Sequence, residues 1–127
     1  MKDSPVDPAL TERVIKSFYS VYDDLGYGFL EAVYRNALAG DLTDKGIRCQ
    51  QEAPFEVTHK GRVVGVYRAD LIVEKCVIVE VKSSEFLPRT AERQLLHYLK
   101  ATGIQLGYVF HFGPEAHFHR RILTRTR

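Results

Sequence analysis

The chain has 127 residues, 45% of them apolar and 27% charged, with a formal net charge of +2. That composition suits one domain spanning residues 1–127, able to bury about two-thirds of its unfolded surface. No stretch approaches the roughly 18 apolar residues of a transmembrane helix, the opening Met1-Lys2-Asp3-Ser4-Pro5 lacks the apolar core of a secretory signal, and Cys49 and Cys76 form no Cys-x-x-Cys pair. A reducing cytoplasm is the expected location.

Asp7-Pro8 is a helix start, an N-cap followed by proline at the first helical position. Val14, Ile15, Phe18, Val21, Tyr22 and Leu25 then recur at helical spacing until Gly26-Tyr27-Gly28. A second helix carries Leu30, Val33, Tyr34, Ala37, Leu38 and Leu42 on its apolar face, places Glu31 one turn in, and closes at Gly46. The middle reads as β. Gln51–Thr58 is a strand that Pro54 assigns to an edge or a bulge. After a turn at His59-Lys60-Gly61, strands follow at 62–73 and 76–83, with Cys76 as a buried free thiol. A helix over 90–102 ends at Gly103, followed by strands over 104–112 and 117–123. The order ααβββαββ predicts an α/β fold, a mixed sheet flanked by helices, because the later helix links two strands.

Charge is distributed unevenly. Through Asp44 there are four Lys/Arg against eight Asp/Glu, and from Lys45 onward fourteen against eight. The basic half, with Arg120, Arg121, Arg125 and Arg127 at its end, is compatible with phosphate contact. A solvated face or an acidic partner reads equally well.

The most informative stretch is 70–82. Asp70, Glu80 and Lys82 interrupt runs of branched apolar residues that otherwise read as buried strand. Unpaired buried charge costs several kcal/mol, so such groups are usually paired or bind metal. Two carboxylates repel until a cation sits between them, and hard oxygen ligands suit Mg²⁺ or Mn²⁺. Geometry adds a condition. Glu80 and Lys82 share one strand face. A two-residue turn at Glu74-Lys75 would put Asp70 on the other face. A three-residue turn at Glu74-Lys75-Cys76 puts Asp70 opposite Glu80, with Cβ atoms roughly 5 Å apart. The competing reading is a surface hairpin with a cross-strand salt bridge.

The Asp-x9-Glu-x-Lys block resembles the active-site signature of the PD-(D/E)XK nuclease superfamily, although Ala69 stands where that motif has proline. Gly28-Phe-Leu-Glu31-Ala-Val-Tyr34 resembles the Gly-x-x-Glu-x-x-Tyr pattern that names a small-protein branch of that superfamily, over about residues 25–122. Gln94-Leu-Leu-His-Tyr98 resembles the Gln-x-x-x-Tyr helix of RecB-like and lambda-exonuclease-like members. The resemblance implies a nuclease-like core and a Mg²⁺- or Mn²⁺-dependent hydrolase of phosphodiester bonds in DNA. It implies Asp70, Glu80 and the Val81 carbonyl as metal ligands, with Glu31 completing the shell directly or through water. Lys82 would orient or help deprotonate the attacking water, or stabilise charge on the phosphorus. Gln94 and Tyr98, neighbours on one helical face, would lie beside metal and phosphate, with Arg93, His97, Ser83 and Ser84 as weaker phosphate contacts.

Each assignment has a plainer counterpart. Lys82 could merely neutralise Glu80, Glu31 could favour a helix N-terminus, Gln94 and Tyr98 could be packing, and Tyr34, on the same side as Glu31, could either hydrogen-bond into the site or pack in the core. His117 and His119 share a strand face, yet with His111 they lack a Cys pair or a His-Glu-x-x-His helix and read as edge-strand histidines rather than a zinc site. No Gly-rich phosphate loop or Ser-His-Asp arrangement is present. The alternative function is a non-catalytic binding module that retains the nuclease fold. The chain is small for a processive enzyme, which suggests a homo-oligomer or a larger assembly.

Overall fold

The computed structural model describes residues 4–124, so Arg125, Arg127 and the first three residues lie outside it. The elements are α1 (Pro8–Leu25), α2 (Glu31–Asp44), β1 (Cys49–His59), β2 (Arg62–Val73), β3 (Val77–Ser83), α3 (Ala91–Thr102), β4 (Leu106–Phe112) and β5 (Ala116–Ile122). This is the ααβββαββ order read from the sequence. None of the helices is long and apolar enough to cross a membrane.

Asp7 caps α1 by accepting the Ala9 amide at 2.9 Å, with Pro8 in the first turn. The second helix departs from the sequence reading: Glu31 is its first residue rather than one turn in, and Leu30 before it is 80% exposed. Tyr34 explains the late start. Its hydroxyl donates to the Gly26 carbonyl and accepts the Phe29 amide, which holds the chain in a loop until residue 30. The buried face of α2 is therefore Tyr34, Leu38, Ala39 and Leu42, while Val33 is exposed.

The five strands lie in the order β1-β2-β3-β4-β5. All neighbours are antiparallel except β3 and β4, and that parallel pair needs the crossover that α3 provides. Pro54 sits on the edge strand β1, where its missing N–H costs no central ladder bond. Cys76 lies in the β2–β3 turn, half-buried, rather than in a strand.

The sheet separates two apolar clusters. On one face α1 and α2 cover Leu71, Val73, Val77, Val79, Val81, Leu106, Tyr108, Phe110 and Phe112. Phe18 stacks on Phe110 at 4.4 Å and Tyr34 on Phe112 at 4.0 Å between ring centroids. On the other face Ala91, Leu95 and Leu99 of α3 pack on Ile72, Ile78 and Val109. The helix approaches so closely at Gly107 that a Cβ there would lie 2.7 Å from Leu95.

Candidate active site

The β2–β3 turn is the three-residue one. Val73 pairs with Val77, and the ladder continues through Ile72–Ile78 to Leu71–Val79, where it stops. One rung further the strands part, and side chains make the bonds that backbone would have made. Asp70 Oδ2 accepts the Val81 amide at 2.7 Å, and Glu80 Oε2 accepts the Asp70 amide at 3.3 Å. The two carboxylates thus sit side by side at the apex of a fork between β2 and β3.

The other side of β2 is irregular at the same level. Register with β1 passes from Gln51–Leu71 to Ala53–Ala69 around Glu52, whose φ is +50°. Tyr67 and Ala69 belong to the α3-side cluster, as does Ile72, whereas Leu71 belongs to the opposite one. Alternation of faces therefore breaks at Asp70, although the register on either side of Glu52 is the same. Beyond it the β1–β2 hairpin continues as an arm unpaired with β3, with Val63, Val64 and Val66 exposed.

The break brings in two residues the sequence reading missed. The Tyr67 hydroxyl donates to Glu80 Oε2, and its ring stacks on Tyr98 of α3 at 3.4 Å. Strict alternation would put Tyr67 and Asp70 on opposite faces, which hid the connection. Arg35, one turn after Glu31 on α2, lies 4.0 Å from Asp70 Oδ1 and 3.3 Å from Glu52. Its Nε is buried without a hydrogen-bond partner among the described residues. The i, i+4 spacing from Glu31 was the available signal.

Electrostatics follow from burial. The Glu80 carboxyl is pushed up to about 7 by burial and by repulsion from Asp70, against the Tyr67 hydrogen bond, the Asp70 amide and the Lys82 charge. Asp70 is also raised, chiefly by burial with Glu31 adding repulsion, while the Val81 amide, Arg35 and Lys82 oppose the shift. The Tyr67 and Tyr98 hydroxyls are pushed up by burial and the neighbouring acids, so both stay neutral. Lys82 is half-buried and makes no ion pair among the described residues.

The remaining sequence candidates lie around this pair. Glu31 Oε2 accepts the Ser83 amide at 3.2 Å. Among the described residues no three His, Cys, Asp or Glu side chains form a metal-holding group, so Glu31 does not close a three-acid cluster with Asp70 and Glu80. Tyr34 is bonded to its own loop rather than to the carboxylates. Tyr98 faces the site through Tyr67. Gln94, Arg93 and His97 are exposed on α3. His117 pairs with Glu115 and His119 with Glu92, while His111 is buried against the Ser84 carbonyl. An open cleft of about 730 Å³ leads to Glu80 between Val64, Val66 and Arg68 of the arm and Tyr98 of α3.

This fold and motif order define a class. The model of the PD-(D/E)XK nuclease superfamily matches residues 8–122, and the chain belongs to that superfamily. SSO0001, a protein of known crystal structure, is similar with a TM-score of 0.54 at 21% identity, over 90% of this chain and 58% of its own. The chain thus spans little more than half the length of SSO0001, and likeness at this identity speaks for the fold alone. No curated protein gives a significant match.

Proposed function

We propose that the chain is a divalent-metal-dependent nuclease that hydrolyses phosphodiester bonds in DNA, within the Gly-x-x-Glu-x-x-Tyr branch of its superfamily. The observation that carries this reading is the Asp70–Glu80 pair at the β2–β3 fork, Glu80 buried and Asp70 half-buried, mutually repelling and raised in pKa despite Arg35 and Lys82 nearby. Such a donor set fits Mg²⁺ or Mn²⁺. Asp70, Glu80 and the Val81 carbonyl would hold the ion, with Glu31 reaching it through water. A bound ion there would supply a nucleophile at neutral pH and offset charge on the phosphate.

The protein's own groups do the rest. Lys82, beside both carboxylates and without an ion-pair partner among the described residues, is available to orient the attacking water and stabilise charge on phosphorus. Tyr67 fixes one Glu80 oxygen by donating to it, leaving the other for a cation. Tyr98 buttresses Tyr67 by stacking, and Gln94, exposed one turn earlier on α3, would contact phosphate as the superfamily resemblance implies. Arg35 offsets part of the Asp70 charge from the α2 side.

Incubating purified protein with labelled DNA and RNA in Mg²⁺, Mn²⁺ or EDTA tests the reading. Cleavage of DNA that needs metal and is abolished by Asp70→Ala and by Lys82→Ala is expected. Cleavage that survives EDTA or either substitution contradicts it, and preferential cutting of RNA would change the substrate. A second reading, a binding module without turnover, is favoured by one observation: Glu31 is engaged by the Ser83 amide, which leaves two acids rather than three at the fork. Salt-sensitive binding without cleavage would support it.

A further inference from the structure

Large apolar side chains stand in solvent on two loops at the mouth of the fork: Leu30 is 80% exposed, Phe86 79%, Phe29 46% and Tyr27 45%. These loops are fixed in place. The Ser83 hydroxyl donates to the Phe29 carbonyl while its amide holds Glu31. The Ser84 hydroxyl donates to the Phe86 carbonyl at 2.8 Å, and the buried His111 Nε2–H donates to the Ser84 carbonyl at 2.9 Å. Exposed rings on an anchored loop lose little entropy when a ligand stacks on them.

We propose that this rim is a stacking surface for unpaired bases of a single DNA strand whose phosphate lies at Asp70 and Glu80. The inference rests on the nuclease reading and deepens it by naming the strand state. Position is the first argument. Ser83 is two residues past Val81, roughly 7 Å along the strand, so a nucleic-acid strand leaving the carboxylates toward the end of β3 would pass over these loops. Size is the second. The four side chains expose roughly 500 Å² at about 200 Å² each, short of the approximately 800 Å² per partner that a stable protein interface buries. Chemistry is the third. Around Phe86, half-buried Lys82 and exposed Arg89 stand on the same segment against one acid, Glu85, whereas the loop over 27–30 carries no Lys or Arg and contributes apolar surface only. A ring beside cations suits a strand whose base faces are free. In a duplex those faces are hidden.

The test is fluorescence anisotropy with a labelled oligonucleotide, single-stranded or annealed to its complement, in Ca²⁺ and again in EDTA. Wild type is expected to bind the single strand more tightly than the duplex. Replacing Phe29 and Phe86 together by alanine should weaken single-strand binding by roughly five- to a hundredfold and leave duplex binding within about twofold, while Phe86→Tyr should retain the single-strand affinity. Equal losses on both probes, or no loss on either, would overturn the proposal. So would a change of oligomeric state in the double variant with strand affinity intact, which would make the rim a contact between protein copies. Failure here is separable from failure of the nuclease reading. Strand-selective loss without any cleavage leaves the rim and removes the enzyme, and metal-dependent cleavage with unchanged binding does the reverse.

Discussion

Toward its turn the β2–β3 hairpin pairs Val73 with Val77 and Leu71 with Val79, and all four side chains are fully buried. One rung further, Asp70 and Glu80 occupy the same two strands, the ladder is broken, and carboxylate oxygens accept the Val81 and Asp70 amides. The closed end stabilises the sheet through burial and complete hydrogen bonding. The open end keeps two repelling acids in a setting that raises both their pKa values. Sites of this kind commonly lower stability where function requires it. The closed end acts as a rigid base that holds the open end in register.

Substitutions at the open end should separate function from stability. Asp70→Asn and Lys82→Ala are expected to lower metal-dependent DNA cleavage on the order of a thousandfold or more, with thermal melting unchanged or raised for Asp70→Asn. A comparable loss of melting temperature would make Asp70 a structural residue. The closed end should respond in the opposite sense. Leu71→Ala removes a fully buried side chain at the last rung and should cost about 2–5 kcal/mol in urea melts. A cost under about 1 kcal/mol would mean that the site can collapse around the missing atoms.

Acidity sharpens the contrast. In the folded protein the Glu80 carboxyl lies at about 7, against an ordinary 4.5. A raised acid favours the fold fully below its unfolded pKa, and that contribution is lost as pH climbs through the folded value. Metal-free protein should therefore be about 2–3 kcal/mol less stable at pH 8 than at pH 5, as read from urea melts in EDTA. Glu80→Gln should flatten the profile, and Mg²⁺ should recover stability at pH 8. An unchanged profile in Glu80→Gln would contradict this account of the acid. The smallest effect is expected for Tyr67→Phe, which keeps the stack on Tyr98 but removes the hydrogen bond to Glu80. It should cost about 1–2 kcal/mol, again from urea melts, and a neutral result would mean that water replaces the hydroxyl.

Much of this was readable from residues whose signals are local. Asp7-Pro8 marks the first helix and Pro54 an edge strand. The three-residue turn was not written in turn chemistry, since Glu74 and Lys75 take φ of +49° and +60° where glycine or asparagine is usual. It followed from requiring Asp70 and Glu80 to meet. What escaped depends on tertiary structure. The break in alternation at Glu52 and Asp70 carries no glycine to announce it, and it is what brings Tyr67 to Glu80. Apolar periodicity made Leu30 and Val33 look buried, but the Tyr34 bonds to Gly26 and Phe29 set the helix start, and the loop leaves both in solvent. Arg35 stands one turn after Glu31, but only the approach of α2 to β2 brings it to Asp70.

The most direct test of the central claim is a crystal of the protein soaked in Mn²⁺, with anomalous data collected for the metal. A single peak within about 2.0–2.3 Å of one oxygen from each of Asp70 and Glu80 is predicted. Contradiction would be no peak at the fork with Mn²⁺ in millimolar excess, or binding only elsewhere, such as at His117 and Glu115.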